Sequence, residues 1–139
     1  MRYLGLDLGT KTLGVAISDR TNTIASFMKV LRYNSDTKEL IEELRDIIST
    51  NNITEIALGL PKNMNNSLGF ASERSMKFKE LLESEFSDVV VTLVDERLST
   101  VEATNYLLDA DMSRKKRKEK VDGIAASIIL DTLLKMRGN

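Results

Sequence analysis

Apolar and polar residues alternate at the start of the chain in the pattern of short β-strands. Two apolar runs, 3–8 and 13–18, flank a Gly-Thr-Lys-Thr turn, and together they predict a β-hairpin. After a second polar turn, residues 23–32 resume the extended pattern. We therefore expect three antiparallel strands to open the fold.

The pattern then changes to helical spacing. Asp36 is followed three residues later by Glu39, which is the signature of a capping box. Apolar residues at intervals of three and four predict a helix over residues 36–51. The next apolar run, 53–60, stops at Pro61, the single proline, and we interpret this run as a buried strand.

The rest of the chain alternates between helices and strands. The predicted elements are, in order, a surface loop at 61–67, a helix at 68–84, a strand at 89–94, a helix at 99–108, and a polar basic stretch at 114–120 that leads into a last helix at 121–136. The strand at 89–94 is rich in β-branched residues, which is typical of a strand covered on both faces. This order predicts an α/β fold with a five-stranded mixed sheet, in which the last two strands run parallel to the first.

Length and composition narrow the class of protein. A chain of 139 residues fits one domain, 1–139, and is too short for two well-formed lobes. No stretch approaches the roughly 20 apolar residues of a membrane span, and the first strand begins without a basic, apolar lead-in, so we expect no cleavable leader. We therefore expect a cytoplasmic protein that does not bind membranes.

The absence of Cys and His from the sequence limits the chemistry. Without Cys there is no disulfide, thiolate nucleophile or zinc–cysteine site. Without His, the commonest general base and metal ligand is missing as well. A metal site would have oxygen ligands only, which suits Mg²⁺ or Mn²⁺.

Several acidic residues interrupt or end apolar elements. Asp7 lies within the first strand, Asp95 and Glu96 close the fifth, and Asp122 opens the last helix. Parallel strands end at the same edge of a sheet, so a helix packed on that sheet would bring these carboxylates together. One or two divalent ions would stabilise such a cluster, whose members would otherwise repel one another.

Each of these acids also has a purely structural interpretation. Asp7 would be stable in a strand if a nearby Lys or Arg paired with it. Asp122 has the position of an acid that interacts with a helix dipole, and the acids at 95–96 have cationic neighbours in Lys62 and Arg97. Gly9 and Gly14 are explained by turn geometry, although a glycine turn also brings backbone N–H groups close to a phosphate.

Basic residues near these acids suggest an anionic partner. The stretch 114–120 contains six cations in seven positions, and it directly precedes Asp122, where a polyanion approaching the acids would need positive charge. We expect a nucleic-acid backbone to be held by this stretch and by the turn after the first strand. The candidate residues are Gly9, Thr10, Lys11, Lys62, Asn63, Arg97, Arg114, Lys115, Lys116, Arg117, Lys118 and Lys120.

Four motifs together resemble those of the YqgF family, also called RuvX. They are Leu-Asp-Leu-Gly-Thr-Lys-Thr-Leu-Gly-Val-Ala-Ile-Ser-Asp (6–19), Gly-Leu-Pro-Lys-Asn-Met (59–64), Asp-Glu-Arg-Leu-Ser-Thr-Val-Glu-Ala (95–103) and Lys-Val-Asp-Gly-Ile-Ala-Ala-Ser-Ile-Ile-Leu (120–130). The match is collinear and spans essentially the whole chain. The resemblance implies a ribonuclease H-like fold, related to the RuvC Holliday-junction resolvases, and a cytoplasmic nuclease that matures the 5′ end of the small-subunit ribosomal RNA precursor.

The resemblance also implies a divalent-metal site made of Asp7, Glu96 and Asp122. Successive strand residues face opposite sides, but both faces of the fifth strand are apolar, so alternation alone does not choose between Asp95 and Glu96. Glu96 ranks first on resemblance, with Asp95 as the alternative. The chain departs from the family pattern at Thr12 and at 65–66, and neither departure removes a candidate ligand.

These observations support one leading hypothesis and three alternatives. The leading one is an endonuclease that uses Mg²⁺ or Mn²⁺ to cut precursor ribosomal RNA, with the small ribosomal subunit as a further partner. A Holliday-junction resolvase would use the same site on branched DNA and would need a homodimer, whereas the RNA enzyme is compatible with a monomer. The others are a non-catalytic RNA-binding module for ribosome assembly and an ATPase of the actin and sugar-kinase group, which the chain length disfavours.

Overall fold

The computed structural model describes residues 1–61, 69–95 and 114–138, with only the backbone given at 70 and 114–123. A single five-stranded sheet forms its centre, in the order β3-β2-β1-β4-β5. Its strands are β1 (Arg2–Leu8), β2 (Thr12–Ser18), β3 (Ala25–Arg32), β4 (Ile53–Leu60) and β5 (Val90–Asp95). The first three strands pair antiparallel, and β4 and β5 run parallel to β1, which confirms the predicted mixed sheet.

The helices agree with the predicted ones in the first half of the chain. A short 3-10 helix, Thr37–Leu40, leads into α1 (Ile41–Asn51), and α2 (Phe70–Glu85) follows β4. The capping box is confirmed: the Lys38 N–H donates to Asp36 Oδ1 at 2.9 Å, and the Asp36 N–H donates to Glu39 Oε2 at 3.0 Å. Local sequence therefore sets where this helix begins.

The last helix, α3 (Arg114–Met136), differs from the prediction. The basic stretch at 114–120 was expected to be a polar lead-in, but it is helical. Lys, Arg and Glu are strong helix formers, so the charge of this stretch does not prevent a helix. The predicted helix at 99–108 and all but the first residue of the predicted loop at 61–67 lie outside the described residues.

Strand alternation gives the sheet two differently packed faces. One face carries large residues, including Leu4 and Leu6 of β1, and packs against Leu44 of α1 and Phe78 of α2. The opposite face packs against α3 and is called the α3 face below. Strand β5 contributes to both cores, as its β-branched sequence predicts, although Val90 at its start is 59% exposed.

Small residues let α3 approach the sheet closely. The α3 face carries Gly5 at its centre, flanked by the buried Ala16 and Ala57. A Cβ atom at Gly5 would lie 2.6 Å from the carbonyl oxygen of Ala126 and 2.6 Å from Cβ of Leu130. The helix backbone thus occupies the space that a side chain at residue 5 would need.

A salt bridge at the end of α3 shows in which direction the helix runs along the sheet. Arg137, just after the helix, donates to both carboxylate oxygens of Glu55, at 3.1 and 2.6 Å, and Thr92 donates to the same carboxylate at 2.7 Å. Burial raises the pKa of Glu55, but the hydrogen bonds from Arg137 and Thr92 outweigh burial and leave this pKa below its ordinary value. Because β4 and β5 both begin here, α3 runs antiparallel to β1, and its first half points toward the edge where β1, β4 and β5 end. We call this edge the carboxyl edge.

Candidate functional site

Asp7 lies on the α3 face near the carboxyl edge and is half-buried. Its partner across the β1–β2 pairing is Gly14. On the other side, Leu6 pairs with Leu58, so the next position along β4 is Gly59. Gly14 was predicted to serve the turn, but it lies within β2. The two strand positions beside Asp7 therefore carry no side chains.

The pairing of β4 with β5 separates the two acids at the end of β5. Gly59 pairs with Val94, which packs on the α3 face, whereas Leu60 pairs with Asp95. Asp95 consequently faces away from Asp7, and it is exposed. Glu96 itself lies outside the described residues.

The helix backbone brings position 122 to the level of Asp7. Residue 122 is four residues before Ala126, whose carbonyl lies over Gly5. Four residues of α-helix advance about 6 Å, and the two strand residues from Gly5 to Asp7 advance about 6.6 Å. Since α3 runs antiparallel to β1, both displacements point toward the carboxyl edge. The side chain of Asp122 is outside the described part of the structure.

Asp7 is the candidate ligand whose side chain the structure describes, and its carboxylate fits a hard divalent cation. Neighbouring strands are about 4.8 Å apart, so β1 and β5 are separated by roughly 9.6 Å, with β4 between them. Gly59 leaves that gap without a side chain on the α3 face. Asp7 places carboxylate oxygen atoms beside that gap, and carboxylate oxygen is a ligand that Mg²⁺ and Mn²⁺ prefer. Among the residues whose side chains are described, no group of three acids lies close enough together to hold a metal ion.

The turn between β1 and β2 is held in place by Tyr33. The N–H of Gly9 donates to the carbonyl of Thr12 at 2.8 Å, and the N–H of Tyr33 donates to the carbonyl of Lys11 at 3.0 Å. The Tyr33 hydroxyl also donates to the Gly9 carbonyl. Burial raises the pKa of Tyr33, and the charge of Arg74 offsets part of this rise, so the phenol is protonated at neutral pH and can donate.

This fixed turn presents Thr10 and Lys11 to solvent. Sequence reasoning identified both residues but missed Tyr33, whose only signal is an aromatic residue directly after a strand. Of the other predicted nucleic-acid contacts, Lys62, Asn63 and Arg97 lie outside the described residues. The basic residues of 114–120 lie on the first turns of α3, and only their backbone is described. In the described part of the chain, no helix is long and apolar enough to cross a membrane.

Comparison with known proteins identifies the family of the chain and solved structures with the same fold. A family model described as "RuvX: Holliday junction resolvase" matches residues 1–136. A Staphylococcus haemolyticus protein named "Putative pre-16S rRNA nuclease" is 48% identical over 134 residues, which cover 96% of this chain and 94% of that protein. A Staphylococcus aureus protein of the same name is 46% identical over the same shares of both chains.

Two solved structures share the architecture at low sequence identity. The fowlpox virus resolvase, solved with Holliday-junction DNA, aligns with a TM-score of 0.58 and 16% identity over 100% of both chains. Thermus thermophilus RuvC, solved with a Holliday-junction substrate, aligns with a TM-score of 0.56 and 14% identity over 100% of this chain and 96% of that one. At these identities the likeness concerns the fold, and it confirms the predicted ribonuclease H-like α/β architecture.

Proposed function

Because the chain belongs to the RuvX family and is a nuclease that hydrolyses phosphodiester bonds, we propose that it is a metal-dependent endonuclease that processes the 5′ end of precursor 16S ribosomal RNA. One observation carries the proposal. Asp7 lies between two glycine positions on the α3 face, at the edge toward which the first half of α3 points. The proposed enzyme is a single cytoplasmic domain that works on nucleic acid associated with the small ribosomal subunit.

Asp7, Glu96 and Asp122 are the proposed ligands of one or two Mg²⁺ or Mn²⁺ ions. When bound, such ions activate a water molecule and stabilise charge on the leaving oxygen. The strand register supports Glu96 over Asp95, because Asp95 is on the face opposite Asp7. The position of residue 122, one helical turn before the contact with Gly5, supports Asp122 as the third ligand.

The protein's other residues position the substrate. Lys11 and Thr10 are exposed on a turn whose backbone is hydrogen-bonded to Tyr33, so the turn can contact a phosphate without losing much conformational freedom. The basic first turns of α3, at 114–120, begin beyond residue 122 at the same edge. They supply positive charge for the backbone of the nucleic acid and no preference for base sequence.

A second candidate substrate is a DNA four-way junction. It is favoured by the description of the matching family model and by the shared fold of two junction resolvases. A resolvase must cut two strands, and this requires two copies of the chain. The precursor RNA ranks first because the relatives named for it match 96% of the chain at 46–48% identity.

One experiment compares the two substrates directly. Purified protein is incubated with precursor 16S RNA and with a four-way junction, each with Mg²⁺, Mn²⁺ or EDTA. We expect the RNA to be cut near the mature 5′ end with either ion and to remain intact in EDTA. Preferred cutting of the junction would favour the second candidate. Binding without cleavage under any divalent ion would contradict the proposed reaction.

A further inference from the structure

A groove of about 310 Å³ opens beside the β1–β2 turn, on the side of α2. It is lined by Thr10 of the turn, by residues 33–37, and by Arg74 and Lys77 of α2. None of these residues except Thr10 was identified from the sequence as a site residue. Tyr33 belongs to the core on the α2 side of the sheet, so the groove lies on the side opposite Asp7 and is built from a different helix than the candidate metal site.

The charges that line this groove favour an anion. Arg74 and Lys77 are three residues apart, so they share one face of α2. Among the described residues that line the groove the only acid is Asp36, and one of its oxygens already accepts from the Lys38 N–H at 2.9 Å. Nearby Glu39 accepts three backbone N–H groups through a single oxygen, at 3.0 to 3.2 Å. Both acids thus serve the start of the 3-10 helix, whereas the cations extend from α2.

The position of the groove suits a strand that leaves the metal site. Thr10 is three residues after Asp7, so their Cα atoms are at most about 11 Å apart. Tyr33 connects the turn and the groove, because its hydroxyl donates to the Gly9 carbonyl and the residue also lines the groove near Arg74. A nucleic-acid strand held at Asp7 would reach the groove by passing over the β1–β2 turn, from the α3 face to the α2 side of the sheet.

We propose that this groove is a second phosphate-binding site, in which Arg74 and Lys77 hold the nucleic-acid backbone beyond the phosphate that is cut. The hydroxyl of Thr10 and the amide of Asn34 are the neutral groups that complete it. This inference rests on the proposed function, since it concerns the same substrate. It adds two residues of α2 and a direction for the strand, from the carboxyl edge toward α2.

Binding as a function of salt tests the proposal without cleavage. The wild-type chain and Arg74→Ala/Lys77→Ala are titrated in EDTA with fluorescent single-stranded RNA and with a DNA junction, from 50 to 200 mM salt. Each phosphate contact contributes about 0.7–0.9 to the slope of log affinity against log salt concentration. The double variant should therefore lose about 1.4–1.8 from that slope and bind more weakly to every sequence.

A matched control distinguishes the loss of the groove cations from the loss of any two positive charges on the surface. Arg20→Ala/Lys29→Ala removes the same two residue types from exposed positions outside the groove, and it should change the slope by much less. Lys77→Glu is a single change at an exposed position, and it provides a second test in case the double variant does not fold.

An unchanged slope in Arg74→Ala/Lys77→Ala, or a change equal to that of the control, would overturn the inference. The proposed function is judged separately, by whether the wild-type chain cuts RNA when Mg²⁺ is supplied. A loss of slope that appears only with the junction would show that the groove serves DNA.

Discussion

Replacing Gly5 with alanine tests whether the close packing of α3 sets the geometry of the site. The new Cβ atom would lie 2.6 Å from both the Ala126 carbonyl oxygen and the Leu130 Cβ, about 0.8 Å short of the 3.4 Å at which ordinary contacts begin. Neither group is the end of a flexible side chain, so the helix itself must move away from the sheet. Overpacking of this kind costs about 1–3 kcal/mol.

The expected result is a lower melting temperature together with a larger loss of activity. For a domain of this size, 1 kcal/mol corresponds to roughly 4 °C, so Gly5→Ala should melt about 4–12 °C lower than the wild type. Circular dichroism gives the melting temperature, and RNA cleavage is measured well below it. Because residue 122 lies on the same helix, activity should fall even where the variant is fully folded.

Gly9→Ala is the comparison for stability. A Cβ atom there would meet the Thr12 hydroxyl at 3.1 Å, and that hydroxyl can shift more easily than a helix backbone. Its melting temperature should fall less than that of Gly5→Ala. If Gly5→Ala has the melting temperature of the wild type and cuts RNA at the wild-type rate, the packing of α3 on β1 described above is wrong.

Three further predictions concern single side chains. Glu96→Gln should abolish cleavage, while Asp95→Asn, whose side chain faces away from Asp7, should retain most of it; the reverse pattern in a cleavage assay would contradict the strand register. Tyr33→Phe removes the hydrogen bond to the turn and should destabilise the fold by about 0.5–1.5 kcal/mol in urea unfolding, and unchanged stability would show that the bond contributes nothing. The pKa of Glu55 is lowered in the folded state, so its ion pair stabilises the protein above about pH 4.5. This stabilisation is lost as the pH falls through the folded-state pKa. In a plot of stability against pH, Glu55→Gln should therefore lose less stability in acid than the wild type, and an equally steep loss in the variant would assign the acid sensitivity to other groups.

The sheet was predictable from sequence because its determinants are local. Hairpin turns, a capping box and a strand-ending proline fix where most elements begin and end. The helical state of 114–120 was missed because a run of like charges is typical of solvated surface, although the same residues have high helix propensity. Intrinsic propensity was the better guide there.

The site was predictable only in part, because it depends on pairing between distant strands. Asp7 stood out as a charge within an apolar strand. The sequence alone, however, does not say which residues of β5 lie on the same face of the sheet as Asp7. The pairing of Gly59 with Val94 supplies that information. The glycines beside Asp7 and the contact of Tyr33 with the turn likewise follow from strand order, which a single sequence does not reveal.

The most direct test of the central claim is cleavage of precursor 16S RNA by Asp7→Asn in Mg²⁺, with Asp46→Asn as the control. Asp46 is an exposed acid on α1, so its variant has the same change in charge and should cut as the wild type does. Asp7→Asn should keep the circular dichroism spectrum of a folded protein. It should show no cleavage, like the wild type in EDTA. Wild-type cleavage by Asp7→Asn would contradict the assignment of the carboxyl edge as the catalytic metal site.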